Sequence, residues 1–142
     1  MIGWLQFSTR LRLRNLSIHR GIGKIYIVTV LMSSLAGIGL GFFATGGIIA
    51  SAGFICLGIL WFTTTLFAYL RIREMHVEQH RKLMIYSYAA CFAAVTLRIW
   101  LPLLIIIFQD FIVAYRIVAW LCWLPNLLVA QLIIRKLKPY AT

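Results

Sequence analysis

Three histidines carry the widest range of chemistry available to this chain, and they stand in two short basic segments. His19 lies in "HRGIGK", whereas His76 and His80 lie in "REMHVEQHRKLM". A neutral imidazole is a good ligand for haem iron, and bis-histidine ligation requires two histidines at matched depth on different helices. His19 and His80 are therefore candidate axial ligands of a b-type haem. The alternative is that both are interfacial side chains that contact lipid headgroups or cap helices.

His76 and His80 also form an i, i+4 pair that can share one face of a helix. Together with His19 they are a candidate zinc or copper site in which His76 is the additional metal ligand. Glu78 does not stand where the HExxH pattern of zinc hydrolases requires a glutamate. A solvated helix face is the favoured interpretation of the His76–His80 pair.

The segment "HRGIGK" ends in the Gly-Lys step that is found in phosphate-binding loops. Such a loop needs a glycine separated by four residues from that step, and a serine or threonine after the lysine. Ile18 stands at the first of these positions and Ile25 at the second. The spacing therefore excludes a phosphate-binding loop and leaves a basic entry to an apolar segment.

Two arginines stand inside apolar segments, where a charged side chain is costly in lipid. We expect Arg98 and Arg116 to face the bundle interior, water or a charged partner, and Asp110 is an acidic residue that could reach Arg116. Pro102 lacks an N–H, so the carbonyl of Arg98 loses its helical partner. The surroundings of Arg98 are thus a candidate site for an anionic ligand or a haem propionate. The alternative is a structural polar clamp between helices, for example to the threonine run 63–65 or to Asn126.

The elements that must position these residues follow from the composition. The chain has 142 residues, of which 63% are hydrophobic and only 12% are charged. Its mean hydropathy is +0.94, and its charged residues are clustered between long uncharged runs, as in integral membrane proteins. The net charge of +11 does not indicate nucleic-acid binding, because runs of membrane-spanning length separate the basic clusters. The three cysteines lie inside apolar runs without CxxC spacing, which favours small buried side chains.

The apolar runs predict an all-α integral membrane protein with four transmembrane helices in a single domain. A span needs about 20 predominantly apolar residues, and helices are expected because lipid offers no partner to open backbone groups. The predicted spans cover about residues 25–44, 47–70, 84–108 and 111–134. Residues 1–18 mix apolar side chains with arginines, which predicts a short interfacial segment on the membrane surface.

The distribution of basic residues predicts the orientation of the spans. Twelve of the 14 lysines and arginines precede the first span, separate the second from the third, or follow the fourth. The two other connections contain none, so the positive-inside rule places both termini in the cytoplasm. Gly37 and Gly41 form a GxxxG step, for which helix packing inside the bundle is favoured over a homodimer contact.

Three blocks of the sequence carry a family resemblance. They are "QFSTRLRLRNLSIHRGIGKIY", "EQHRKLMIYSYA" and "VTLRIWLPL". They resemble the recurring blocks of a bacterial membrane-protein family known as domain of unknown function 2306, over roughly residues 5–104. The resemblance implies a multi-pass protein of the bacterial inner membrane. The resemblance implies that the following residues occupy signature positions: His19, Arg20, Gly23, Tyr26, His80, Arg81, Met84, Arg98, Trp100 and Pro102.

The resemblance implies no settled activity, although the histidine-bearing helices are similar in style to those of b-type membrane cytochromes. Family members commonly carry a further hydrophobic segment upstream of the "QF" block, which begins at Gln6 in this chain. The chain is therefore expected to be a short or N-terminally truncated member. If that upstream segment supplies a ligand, the site in this chain is incomplete.

Two classes of function are compatible with these residues. The leading hypothesis is a membrane redox protein that binds haem b through His19 and His80, with Arg98 in its polar interior. The alternative is a non-enzymatic small transporter, or an assembly or interaction subunit, in which Arg98 and Arg116 bind an anion or hold a partner helix. A hydrolase is disfavoured because the three acidic residues are scattered near loops. Whether the protein is an enzyme stays open.

Overall fold

Long apolar runs fold into long helices in this chain, because a helix makes its backbone hydrogen bonds within its own segment and lipid offers no other partners. The computed structural model describes residues 16–137. Its five helical elements are α1 (Leu16–Gly41), α2 (Ile48–Arg73), α3 (Val77–Phe108), α4 (Phe111–Leu121) and α5 (Leu124–Lys136). Helices α4 and α5 together make the fourth stretch that is long and apolar enough to cross a membrane.

Helix α2 lies at the centre of the packing, since it contacts α1, α3 and α4. Glycines permit two of these close approaches. A Cβ added at Gly58 would lie 2.6 Å from the Ile38 side chain and 3.3 Å from the Ser34 carbonyl oxygen of α1. A Cβ added at Gly53 would lie 2.8 Å from the Ala119 carbonyl oxygen of α4. Helix α1 packs mainly against α2, whereas α3 packs against α2, α4 and α5.

The fourth span is broken at Cys122 and Trp123, because Pro125 stands in the first turn of α5 and cannot donate a backbone hydrogen bond. Side chains satisfy one of the carbonyl groups at the break. The carbonyl of Cys122 accepts hydrogen bonds from the Thr96 hydroxyl and from Asn126 Nδ2, the latter at 3.0 Å. Asn126 Nδ2 also lies 3.2 Å from the Thr96 hydroxyl. This polar cluster makes an irregular backbone tolerable within a membrane span.

The predicted fold class is confirmed: the described part of the chain is helical, with four helices of membrane-spanning length and composition. Helices α1 and α3 begin well before the apolar runs, at Leu16 and Val77. His19 and His80 are therefore inside the first turns of helices rather than in the segments that precede them. Most of the predicted interfacial segment 1–18 lies outside the described residues, and the cytoplasmic location of the termini stays a prediction.

The Gly37–Gly41 step does not act as one packing unit. Gly41 is buried against α2, where an added Cβ would lie 2.8 Å from Ile55 Cγ1. A Cβ added at Gly37 would meet nothing within 4 Å. Gly41 thus agrees with the prediction of packing inside the bundle, whereas Gly37 adjoins open space.

Candidate functional site: a histidine pair and a cavity beside Arg98

A chain of hydroxyl groups joins α1, α2 and α3 inside the bundle. The Tyr26 and Ser87 hydroxyls are 3.1 Å apart, and the Ser87 and Thr65 hydroxyls are 2.6 Å apart. The Thr65 hydroxyl donates to the Trp61 carbonyl at 2.8 Å. Each hydroxyl has one proton to donate, so Ser87 donates to Thr65 and Tyr26 donates to Ser87. We call Tyr26, Thr65 and Ser87 the hydroxyl layer; it fixes the three helices at one level.

The hydroxyl layer also sets the relative position of the two candidate haem ligands. His19 precedes Tyr26 by seven residues in α1, and His80 precedes Ser87 by seven residues in α3. Seven residues are about two helical turns, or about 10.5 Å along the axis. Each histidine therefore lies on nearly the same helix face as its hydrogen-bonding residue and at the same depth as the other histidine. The geometry agrees with the matched depth expected from the sequence.

His80 is half-buried, and its Nδ1 lies 2.7 Å from the Ala68 carbonyl oxygen of α2. A carbonyl oxygen can only accept, so Nδ1 carries the proton in the neutral ring and Nε2 carries the lone pair. A hydrogen bond from the second ring nitrogen to a backbone carbonyl is the usual support of a metal-ligating histidine. The fold thus gives His80 the tautomer and the fixed ring orientation that a ligand needs.

The segment around His19 in α1 has open space beside it and a positively charged neighbour. His19 is half-buried, and the next residue, Arg20, is exposed. A Cβ added at Gly21 would meet nothing within 4 Å. On α3, Arg81 follows His80 directly and is half-buried, with an interaction of its own. Both histidines are therefore followed by an arginine, which makes this end of the bundle attractive to anionic groups.

Nearby acidic residues are engaged in ion pairs at the surface. Glu74 pairs with Arg71 at 2.8 Å, and Glu78 pairs with Lys82 at 2.6 Å. His76 is exposed and precedes α3 without capping it through its side chain. Within residues 16–137, no cluster of three or more histidine, cysteine, aspartate or glutamate side chains is arranged to hold a metal ion. The zinc or copper site that would include His76 therefore has no assembled ligand set in the described chain.

A cavity of about 430 Å³ lies between α1, α2 and α3, on the opposite side of the hydroxyl layer from the histidines, and Tyr115 of α4 and Cys122 also line it. Its walls are mostly apolar or small residues, and Ser33 of α1 and Ala94 of α3 are exposed lining residues that form its rim. Its lining includes Ser34, Gly37, Phe54, Leu57, Gly58, Trp61, Ala90, Cys91 and Leu97. Because the exposed rim residues belong to α1 and α3, the cavity opens sideways between these two helices.

Arg98 lies beside this opening. It is four residues from Ala94 and seven from Cys91 on α3, which places it on the same helix face as these two lining residues. Arg98 is exposed, and its guanidinium makes no hydrogen bond or ion pair with the described residues. Of the surroundings expected for Arg98, the bundle interior is not the one it has, because α1 packs against α2 and leaves this face of α3 uncovered. It lies about 27 Å from His80 along α3.

The structural clamp considered for Arg98 is not formed. Asn126 bonds Thr96 and the carbonyls of Cys122 and Ala89. The hydroxyls of the threonine run 63–65 donate to carbonyls of their own helix. Arg98 thus has neither of these partners.

Arg116 and Asp110 hold in place the connection between α1 and α2 and the connection between α3 and α4. Arg116 Nε donates to the Gly46 carbonyl at 2.8 Å, which ties α4 to the connection between α1 and α2. Asp110 caps α4, since its carboxylate accepts from the backbone N–H groups of Ile112 at 2.7 Å and Val113 at 3.3 Å. The two side chains form no ion pair with each other in the described structure. Their contacts in the structure are with backbone groups.

The sequence interpretation missed the hydroxyl layer and the cluster around Asn126. Thr65 and Ser87 are fully buried, and buried hydroxyls in a membrane span need partners. The sequence can be searched with this requirement, by finding hydroxyl side chains on different helices that lie at the same depth in the membrane. The equal seven-residue spacing from His19 to Tyr26 and from His80 to Ser87 would have pointed to one such pair.

The helices and the polar groups inside them define a multi-pass helical membrane protein. The sequence model of a family described as "Predicted membrane protein (DUF2306)" matches residues 1–134. The chain belongs to this family, as its sequence blocks indicated. Neither the curated proteins nor the solved structures contain a match to the chain.

Proposed function

We propose that this protein is a membrane redox protein that holds a b-type haem between His19 and His80. The observation that carries the proposal is the register set by the Tyr26–Ser87 hydrogen bond, which brings the two histidines to one depth on α1 and α3. The support of His80 by the Ala68 carbonyl adds to it. Haem would supply reversible one-electron transfer, which none of the protein's own side chains at this site provides.

The residues around the histidine pair fit the chemistry of haem. Nε2 of His80 carries a lone pair for iron while Nδ1 is held by the Ala68 carbonyl. Arg20 and Arg81, next to the two histidines, offer guanidinium groups to the propionates. Gly21 has open space where other residues would carry a side chain.

The hydroxyl layer would preserve the distance between the two ligands. Tyr26 reaches Ser87 across the gap between α1 and α3, and Ser87 is held in turn by Thr65 of α2. Three helices are thus joined about two turns from the histidines. A fixed separation is what two axial ligands on different helices require, because both must reach one iron atom.

The test is haem binding by the purified full-length chain. Protein from haem-replete cells is expected to show a Soret band, and His19→Ala and His80→Ala are each expected to lose it. His76→Ala is the matched control, because this histidine is exposed four residues from His80 and is expected to leave the band unchanged.

Circular dichroism and size-exclusion profiles of each variant separate loss of haem from loss of fold. A colourless wild-type protein with intact helices, also after incubation with added haem, contradicts the proposal. In that case the function would rest with Arg98 and the alternative of a small transporter or an assembly subunit.

A further inference from the structure

Arg98 and the cavity beside it are not used by the proposed haem site, which lies on the other side of the hydroxyl layer. We propose that the cavity binds a single-chain amphiphile with a carboxylate head, such as a fatty acid, and that Arg98 supplies the counter-charge. The tail would lie against the apolar walls and leave through the opening between α1 and α3. The site would be filled sideways from the bilayer.

Arg98 lies at a depth of the bilayer where a charged side chain is stabilised by a nearby anion or by water. Arg98 is ten residues from the end of α3 at Phe108, which is about 15 Å along the axis and about half of a bilayer's hydrocarbon core. An arginine near a helix end can extend to the interface, but Arg98 is well inside the span. A charge at this depth is rare unless it is paired or faces water.

The acidic side chains of a second copy of the chain do not lie where this anion is needed. The sequence contains only three acidic residues, Glu74, Glu78 and Asp110. All three lie at helix ends: Glu74 and Glu78 flank the connection between α2 and α3, and Asp110 precedes α4. None lies at the depth of Arg98 in α3. A ligand that carries a carboxylate into the hydrocarbon core would instead balance the positive charge of Arg98.

The shape of the cavity agrees with an apolar chain. Its volume of about 430 Å³ falls within the range of small-molecule sites, which are mostly apolar with a few placed polar groups. Phe54, Leu57 and Leu97 contribute apolar walls, and Gly37 leaves room on the α1 side. Helix α1 packs closely against α2 at Gly58, whereas the cavity lies on the side of α1 that carries Gly37.

Trp61 bounds the cavity on the side of the hydroxyl layer. Its buried indole Nε1 lies next to the Tyr26 hydroxyl, so the positively charged group near the cavity is Arg98. A guanidinium can only donate hydrogen bonds, and a carboxylate offers it both acceptor atoms and the opposite charge.

The test compares two probes of equal chain length, oleate and oleyl alcohol, by native mass spectrometry and by calorimetric titration of the full chain in a non-ionic detergent. We expect wild-type protein to bind oleate at least tenfold more tightly than oleyl alcohol. Arg98→Gln is expected to remove that preference, and Arg98→Lys, which keeps the charge, to retain most of it. Arg73→Gln, at an exposed position on α2, controls for charge alone.

A second pair of variants tests the cavity without touching the charge. Gly37→Leu places a side chain into the cavity, whereas Gly39→Leu places the same side chain on the exposed surface of the same helix. Neither added Cβ meets an atom within 4 Å, so both variants are expected to fold. Oleate binding is expected to be lost in Gly37→Leu and kept in Gly39→Leu.

Equal binding of oleate and oleyl alcohol by wild-type protein overturns the proposal, as does oleate binding that survives both Arg98→Gln and Gly37→Leu. Stable co-purification of another membrane protein that depends on Arg98, without oleate binding, also overturns it and assigns the arginine to a partner helix. Haem content is measured in the same samples and is expected to be unchanged in all variants. Failure of the fatty-acid proposal can therefore be distinguished from failure of the haem proposal.

Discussion

The two halves of the gap between α1 and α3 are built differently. On the histidine side, Tyr26, Ser87 and Thr65 connect three helices through hydrogen bonds. On the other side, no such connection joins α1 to α3 among the described residues. A cavity lies between them, and Arg98 is four residues from its lining residue Ala94 on α3. A few buried hydroxyls thus set the helix spacing on one side, whereas the helices leave open volume on the other.

Residue size contributes to the same difference. Helix α1 approaches α2 closely at Gly58, where the Ile38 side chain and the Ser34 carbonyl fill the space of a missing Cβ. Facing α3, the same helix presents Gly37, beside which nothing lies within 4 Å. One helix therefore has a close-packed face toward α2 and an open face toward α3.

The largest effect on stability is expected from filling the close-packed face. Gly58→Leu would push α1 from α2, because even its Cβ would lie 2.6 Å from Ile38 Cγ1, and overpacking of this kind costs about 1 to 3 kcal/mol or more. Gly37→Leu, on the open face, is expected to change the free energy of unfolding by less than about 1 kcal/mol. Thermal denaturation in one detergent measures both, and equal destabilisation would contradict the difference between the faces.

A smaller effect is expected from breaking the hydroxyl layer. Ser87→Ala removes the acceptor of the Tyr26 hydroxyl and one donor to Thr65. Hydrogen bonds between membrane helices average about 0.6 kcal/mol each, so a loss of about 1 to 2 kcal/mol is expected once the unpaired Tyr26 hydroxyl is included.

Ser51→Ala, at a half-buried serine of α2 outside the layer, serves as its control and is expected to leave the melting temperature nearly unchanged. If the Ser87 variant melts like this control, the layer does not hold the helices together. In the haem-loaded protein, Ser87→Ala is also expected to weaken haem retention more than Ser51→Ala does.

The smallest effect is expected at the exposed glycine of α1. Gly39→Ala adds a Cβ that meets nothing within 4 Å, and alanine favours a helix over glycine by about 0.8 to 1 kcal/mol in peptides. A slight rise in melting temperature is expected. A lower melting temperature would show that another group packs against Gly39, which would contradict the exposed position of this residue on α1.

Much of the fold could be predicted from the sequence because four apolar runs have the length of a membrane span. The break in the fourth span was missed, although Pro125 carries its signal, because the hydrophobicity continues across it. The starts of α1 and α3 were missed because the helices extend past the apolar runs into basic segments. Such extensions depend on helix propensity and packing rather than on hydrophobicity.

The candidate sites were predictable to different degrees. The matched depth of His19 and His80 followed from helix direction alone, since α1 and α3 run the same way. The exposure of Arg98 did not, because it depends on whether α1 packs against α2 or α3, and glycine contacts such as the one at Gly58 decide that. Sequence gives the depth of a residue in a span more readily than the direction it faces.

Electron paramagnetic resonance of the oxidised, purified protein after loading with haem reports directly on ligation by His19 and His80. Two histidine ligands at one depth predict a low-spin ferric signal from six-coordinate iron. That signal is expected to be retained in His76→Ala and lost in both His19→Ala and His80→Ala. A high-spin signal in the wild-type protein, or a low-spin signal that survives either substitution at His19 or His80, would contradict the account.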